Sequence, residues 1–180
     1  KEKKLILFDV KNMSWYWHHD ELHKENMTSN VIQLLSEKFL TLPENTQQAL
    51  RYAASINNRF SLKMLASVIG KPQNIIAQAL EPALLEGIIR PLDINYRYAT
   101  QKVIYQDVHY RFTHDNLQQA AYALLPEPLK TKTHLQIAHT LESKLSNTEK
   151  QKELFNIVNH YNIATDLIKN DADIHNLINL

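Results

Sequence analysis

A chain of 180 residues, 44% of them hydrophobic, carries enough apolar material for one or two small domains with real cores and is neither disordered nor fibrous. Its 20 Lys and Arg against 19 Asp and Glu give a net charge of +1, so there is no electrostatic case for nucleic acid or an anionic membrane as the main partner. The absence of cysteine excludes disulfides and cysteine-based zinc sites, and no apolar run approaches the ~20 residues that span a bilayer.

The first residues, Lys1-Glu2-Lys3-Lys4 and then four apolar ones, are too short for a signal peptide, and a cytoplasmic location is expected. The chain starts without methionine, as an excised piece of a longer protein would. Residues 5–17 read as a β-hairpin: Leu5-Ile6-Leu7-Phe8 and Trp15-Tyr16-Trp17 are strand formers around a turn-rich centre. A polar stretch through Thr28-Ser29-Asn30 then opens an amphipathic helix with Val31, Leu34, Leu35, Phe39 and Leu42 on one stripe.

Pro43 suits the first position of the next helix, whose apolar face is Ala49, Leu50, Ala53, Ala54 and Ile56 and which ends at Asn57-Asn58. Ser61 is a candidate N-cap for a third helix, which Gly70 closes in the left-handed conformation. Pro72 restarts a helix that runs to Gly87, and Pro82 inside it predicts a kink or break near Gln78–Pro82. Ile88–Leu92 and Val103–Phe112 read as two strands joined by a polar, tyrosine-containing segment. Three helices followed by a two-stranded ribbon is the order of a winged helix. His114–Leu125 is the helix that leaves it. From Leu129 onward the pattern is helical only, with one stripe on Leu135, Ile137, Ala138, Leu141 and Leu145, a second helix containing Leu154, Phe155, Val158, Tyr161 and Ile163, and a third starting at Ala172.

The expected fold is mainly α: a β-hairpin and linker (1–26), a winged-helix domain with a small antiparallel β wing (27–125), and the start of a TPR-like antiparallel helical array (126–180).

Only two glycines occur, Gly70 and Gly87, far apart. A phosphate-binding loop needs closely spaced glycines, so the chain holds neither a Walker A loop nor a dinucleotide fingerprint. If a longer parent hydrolyses ATP, that chemistry lies upstream of residue 1. No Ser/His/Asp or Cys/His constellation is recognisable, and no enzyme activity is expected of this segment.

The principal candidate is His114, followed by Asp115. It stands where the period-two pattern of Val108, Tyr110 and Phe112 gives way to a helix, beside the positive end of that helix, a place suited to an anion. The competing structural reading is a helix start capped by Asp115 or Thr113, with His114 a packed corner residue. A phospho-accepting histidine is disfavoured, because the residues before it read as a strand and Asn116-Leu117-Gln118-Gln119 follow it. His18, His19 and His23 with Asp20 offer a metal pattern without a third placed ligand, so no metal is expected. His134 shares a stripe with Ile137, Ala138 and Leu141 and reads as a packed histidine, while His139 and His160 sit at unrelated spacings. Trp15, Tyr16 and Trp17 read as packing residues rather than a base-stacking platform. A DNA-reading helix from Pro72 would expose Gln73, Asn74, Gln78, Glu81 and Glu86 with only Lys71 nearby, a poor match to phosphate.

Four blocks together carry a resemblance: Phe8-Asp9 with Trp15-Tyr16-Trp17; Leu42 through Ile56; Arg59-Phe60-Ser61-Leu62-Lys63-Met64-Leu65-Ala66; and His114-Asp115 through His134. In this order, over about 8–165, they resemble the region that follows the nucleotide-binding core in STAND-type signalling ATPases. The likeness is to the predicted-ATPase module of large bacterial receptors that join a serine/threonine kinase-like domain to two-component sensor histidine kinase parts. The resemblance implies a regulatory segment with no cofactor of its own and ATP or ADP bound by the parent. It also implies, as partners, the upstream nucleotide-binding domain of the same chain and signalling proteins met through the helical array. In related STAND proteins a winged-helix histidine in a Met-His-Asp motif touches the ADP β-phosphate. His114-Asp115 falls at the matching place, with Thr113 where that motif has methionine. A winged-helix DNA-binding transcriptional regulator is the alternative.

Overall fold

The computed structural model describes residues 6–9, 14–17, 35–101 and 107–168. Strands β1 (Ile6–Asp9) and β2 (Ser14–Trp17) pair antiparallel with Phe8 opposite Trp15, the hairpin that the strand formers predict. The indole and phenol side chains of Trp15, Tyr16 and Trp17, with His18, His19 and His23, lie outside the described residues.

Residues 35–40 are helical, and Phe39 and Leu42 are buried. Helix α1 (Glu44–Ile56) follows a sharp turn at Pro43 and buries Ala49, Leu50 and Ala53 at helical spacing. Gln47 fastens α1 to that turn by donating from Nε2 to the carbonyls of Leu42 (2.8 Å) and Leu40 (3.3 Å). Strand β3 (Arg59–Ser61) runs directly into α2 (Leu62–Ile69), whose amide of Met64 is capped by Ser61 Oγ at 3.0 Å. Gly70 ends α2 at φ +73°, the left-handed conformation that its missing Cβ permits. Helix α3 (Gln73–Leu85) continues through Pro82. The expected break there does not occur, since packing of Ile76, Ala79, Leu80 and Ala83 holds the helix on both sides of the lost hydrogen bond.

Strand β4 (Ile89–Pro91), a 3₁₀ turn (Ile94–Tyr98) capped by Asp93, and β5 (His109–Phe112) complete a three-stranded antiparallel sheet of order β3-β5-β4. Pro91 is tolerated because β4 is an edge strand. Helix α4 (Asp115–Ala123) leaves the sheet, followed by α5 (Glu127–Lys144) and α6 (Asn147–Ile163). A capping box at Ser146, with Glu149 three residues on, starts α6. The expected helix start at Ala172 lies outside the described residues, as do Val103–Gln106 of the expected longer strand.

The chain is thus mainly helical with one small antiparallel sheet besides the hairpin. The main core joins Phe39 to Ala121, and a smaller cluster of Ala138, Ile157 and Tyr161 lies between α5 and α6. The Lys144 ammonium on α5 donates to Ser67 Oγ on α2 at 2.5 Å, linking the two.

Leu80 is fully buried and Leu85, five residues on, is 88% exposed. Leu80→Ala is expected to destabilise the protein by about 2–5 kcal/mol and Leu85→Ala by less than about 0.5 kcal/mol in urea unfolding. Equal effects would contradict the way α3 is turned.

Candidate functional site

The His114 corner is built from β5. Tyr110 and Phe112 point into the core, and Phe60 stacks on Tyr110 at 5.9 Å and meets Phe112 tilted at 5.8 Å between ring centres. Thr113 then ties the corner down twice: its amide donates to the Ile88 carbonyl at 3.0 Å and its hydroxyl to the Gly87 carbonyl at 2.7 Å. His114 is extended (φ −139°, ψ 148°) and occupies the N-cap position of α4, but its imidazole makes no capping bond. Asp115 does not cap the helix either; its Oδ1 accepts from Asn58 Nδ2 at 2.8 Å. Both His114 and Asp115 are exposed. The reading of His114 as a packed corner residue is therefore corrected: the ring stands in solvent on a fixed backbone, next to the first unpaired amides of a helix.

Thr113 also lines a shallow apolar cavity of about 740 Å³, walled by Leu84, Leu85, Ile89, Pro91 and Tyr96 with Glu81 and Arg90 at its edge. Leu85 stands almost wholly exposed beside it. An exposed apolar groove next to a fixed polar corner is a surface on which another protein domain can seat.

A second group of residues, not joined by any spacing in the sequence, meets where α4, α5 and α6 converge. The Tyr122 hydroxyl and His134 Nε2 lie 2.9 Å apart, and His134 Nδ1 lies 2.7 Å from His160 Nδ1. Both imidazoles are buried, and His160 Nε2 has no hydrogen-bond partner. The packed reading of His134 matches its place; its bond to His160 was illegible because the two are 26 residues apart on different helices. Burial lowers the pKa of His134, with Lys130 adding to the effect, and lowers that of His160 to about 4, with His134 contributing. Burial raises the pKa of Tyr122, against the pull of Lys130, whose ammonium sits 4.9 Å from the centre of the ring. The remaining helical histidine, His139, is exposed and meets the edge of the Tyr161 ring at 5.8 Å.

Among the described residues no group of three His, Asp or Glu is placed to hold a metal ion, and no helix is long and apolar enough to cross a membrane. The face of α3 that would read DNA exposes Gln78, Glu81 and Leu85 and carries no cation.

A histidine with a lowered folded-state pKa stays neutral in the native protein while its unfolded counterpart takes up a proton near pH 6.5. Folding stability therefore falls as pH drops from about 6.5 towards His160's folded value of about 4. Urea midpoints measured across this window should fall more steeply for the native chain than for His160→Phe. Parallel slopes would mean the imidazole is not held neutral.

No family model matches the chain, and no solved structure matches it. It is 25% identical, over 218 aligned positions, to hybrid signal transduction histidine kinase G of Dictyostelium discoideum. The alignment takes in 99% of this chain and spans 6% of that protein. The likeness is weak, and the protein it points to is one of signal transduction.

Proposed function

We propose that this chain is a non-catalytic regulatory segment of a STAND-type signalling ATPase or receptor kinase, coupling the nucleotide state of an upstream domain to protein interaction. Residues 27–125 act as a winged helix that docks on the nucleotide-binding domain, and residues 126–180 begin a TPR-like array that meets signalling partners. The observation that carries the reading is the exposed imidazole of His114, fixed by Thr113 at a strand-to-helix corner and flanked by an apolar groove. An N–H of that ring can donate to a phosphate oxygen held by a neighbouring domain, and the free amides at the start of α4 favour the same negative charge.

The element order helix, strand, helix, helix, strand, strand supports the winged-helix reading. The similarity to part of a much longer signalling protein supports the regulatory one. In this scheme ADP bridges the upstream domain and His114 and favours a closed arrangement, and nucleotide exchange or a partner releases it. ATP and ADP belong to the parent, and the segment itself supplies no catalytic group. The setting is cytoplasmic. The acidic, cation-free surface of α3 speaks against the alternative of a DNA-binding regulator.

In the longer parent, His114→Ala is expected to weaken ADP binding about tenfold, the loss of one hydrogen bond to a charged group, and to raise basal signalling. Unchanged ADP affinity and basal output would remove His114 from this role. Salt-sensitive binding of duplex DNA by the 180-residue chain in a gel shift would favour the alternative.

A further inference from the structure

A cleft of about 350 Å³ opens between the end of α1, α4 and α6, with His134 and His160 in its wall. Its lining is unusual in two respects. It contains no Asp, Glu, Lys or Arg, and it contains five carboxamides: Asn57, Gln118, Gln119, Asn156 and Asn159. A charged ligand would leave water without meeting a counter-charge in the lining, and the ammonium of Lys130 behind the Tyr122 ring is already paired with Glu127 at 2.6 Å, so binding it carries a net cost. Gln118 Nε2 donates to the Ala54 carbonyl, Asn156 Nδ2 to Glu153, and Asn57 Oδ1 accepts from the Asn58 amide. The remaining carboxamide groups, with both ends of Gln119 and Asn159, still offer donors and acceptors together to a neutral ligand with a carbonyl and an N–H. The Tyr122 ring, Ile56 and Ile163 add apolar wall.

His160 lines this cleft, is only 2% exposed, and has an unpartnered Nε2. A buried polar atom without a partner costs about 1–3 kcal/mol, and a ligand that completes the bond recovers it. The Tyr122–His134–His160 chain also fixes what that nitrogen can offer. If Tyr122 donates to His134, then His134 donates to His160 and the far nitrogen of His160 carries a hydrogen. If the chain runs the other way, the far nitrogen is an acceptor. One amide group can satisfy either state, by its carbonyl or by its N–H.

We infer that this cleft is a binding site for an uncharged ligand bearing an amide group, with His160 as the buried anchor and the five carboxamides as the rim. Asn156 and Asn159 stand one turn and one residue before His160; Asn159 is exposed, and such a side chain changes rotamer readily to admit a ligand. The amide belongs either to a small ring compound or to a peptide backbone, which share the same edge. The site is independent of the nucleotide reading of His114.

The test is a titration of the 180-residue chain, followed by ¹⁵N spectra of the histidine rings, with three probes: nicotinamide, the capped dipeptide N-acetylalanine-N′-methylamide, and nicotinate. Nicotinamide or the dipeptide should shift the His160 and His134 ring nitrogens saturably, and whichever does so more strongly identifies the source of the amide. Nicotinate, the same ring with a charge in place of the amide, should not. His160→Phe should weaken binding about tenfold or more. Asn156→Leu, which alters only the rim, should weaken it as well and keeps the test valid if the core variant fails to fold. Absence of a saturable shift with both neutral probes, equal response to nicotinate, or native affinity in Asn156→Leu would overturn the inference.

Discussion

The structure from α1 to α4 depends on the central strand β5. It is paired on both edges, with Arg111 opposite Arg59 on one side and Arg90 on the other. The carbonyl of Val108 just before it receives the amide of Leu62 at 2.7 Å and starts α2. Phe112 donates to Asn58 at 2.9 Å and fixes the exit of α1, and Thr113 fixes the exit of α3. Three helices thus take their bearings from six residues of one strand and its flanks. Burying Tyr110 and Phe112 beneath Phe60 holds that strand in place, at about 1.5–3 kcal/mol per large apolar side chain. The position of His114 follows from this, because it is the next residue after the last tie.

Local chemistry made much of this legible. Ser61 as a cap, Gly70 as a left-handed stop, the ends of α1, and the hairpin at the start all follow from residue types with one preferred use. Strand β3 was not legible. Three residues carry no period, and Arg59–Ser61 becomes a strand only because β5 presents a free edge to it. The unbroken course of α3 through Pro82 is likewise a tertiary outcome, since local propensity pointed the other way. In α6 the apolar residues do not form one face: Ile157 and Tyr161 are buried together with His160, while Phe155, two residues before Ile157 and so on the far side of the helix, is 90% exposed. A histidine paired with another histidine leaves no mark on either helix alone.

That pairing also explains how so thin a core holds α5 against α6. Three buried residues, Ala138, Ile157 and Tyr161, make up the apolar cluster there. Leu135, Leu141 and Ile168, partly buried, pack against it. Polar bonds complete the contact: the histidine chain, and the Tyr161 hydroxyl donating to Glu142 at 2.6 Å. Such directional bonds fix the register of two helices more tightly than a few methyl groups can, at the cost of desolvating each group.

Gly87 sits at φ +66° between the last turn of α3 and β4, and Thr113 grips its carbonyl. The hinge-like freedom that a glycine normally gives is thereby cancelled by a clamp from the end of the neighbouring strand β5. The backbone that carries Leu85 and the backbone that carries His114 are therefore tied together through Gly87 and Thr113, like two teeth of one comb. In the docking proposed above, a partner domain would have to match both teeth at once.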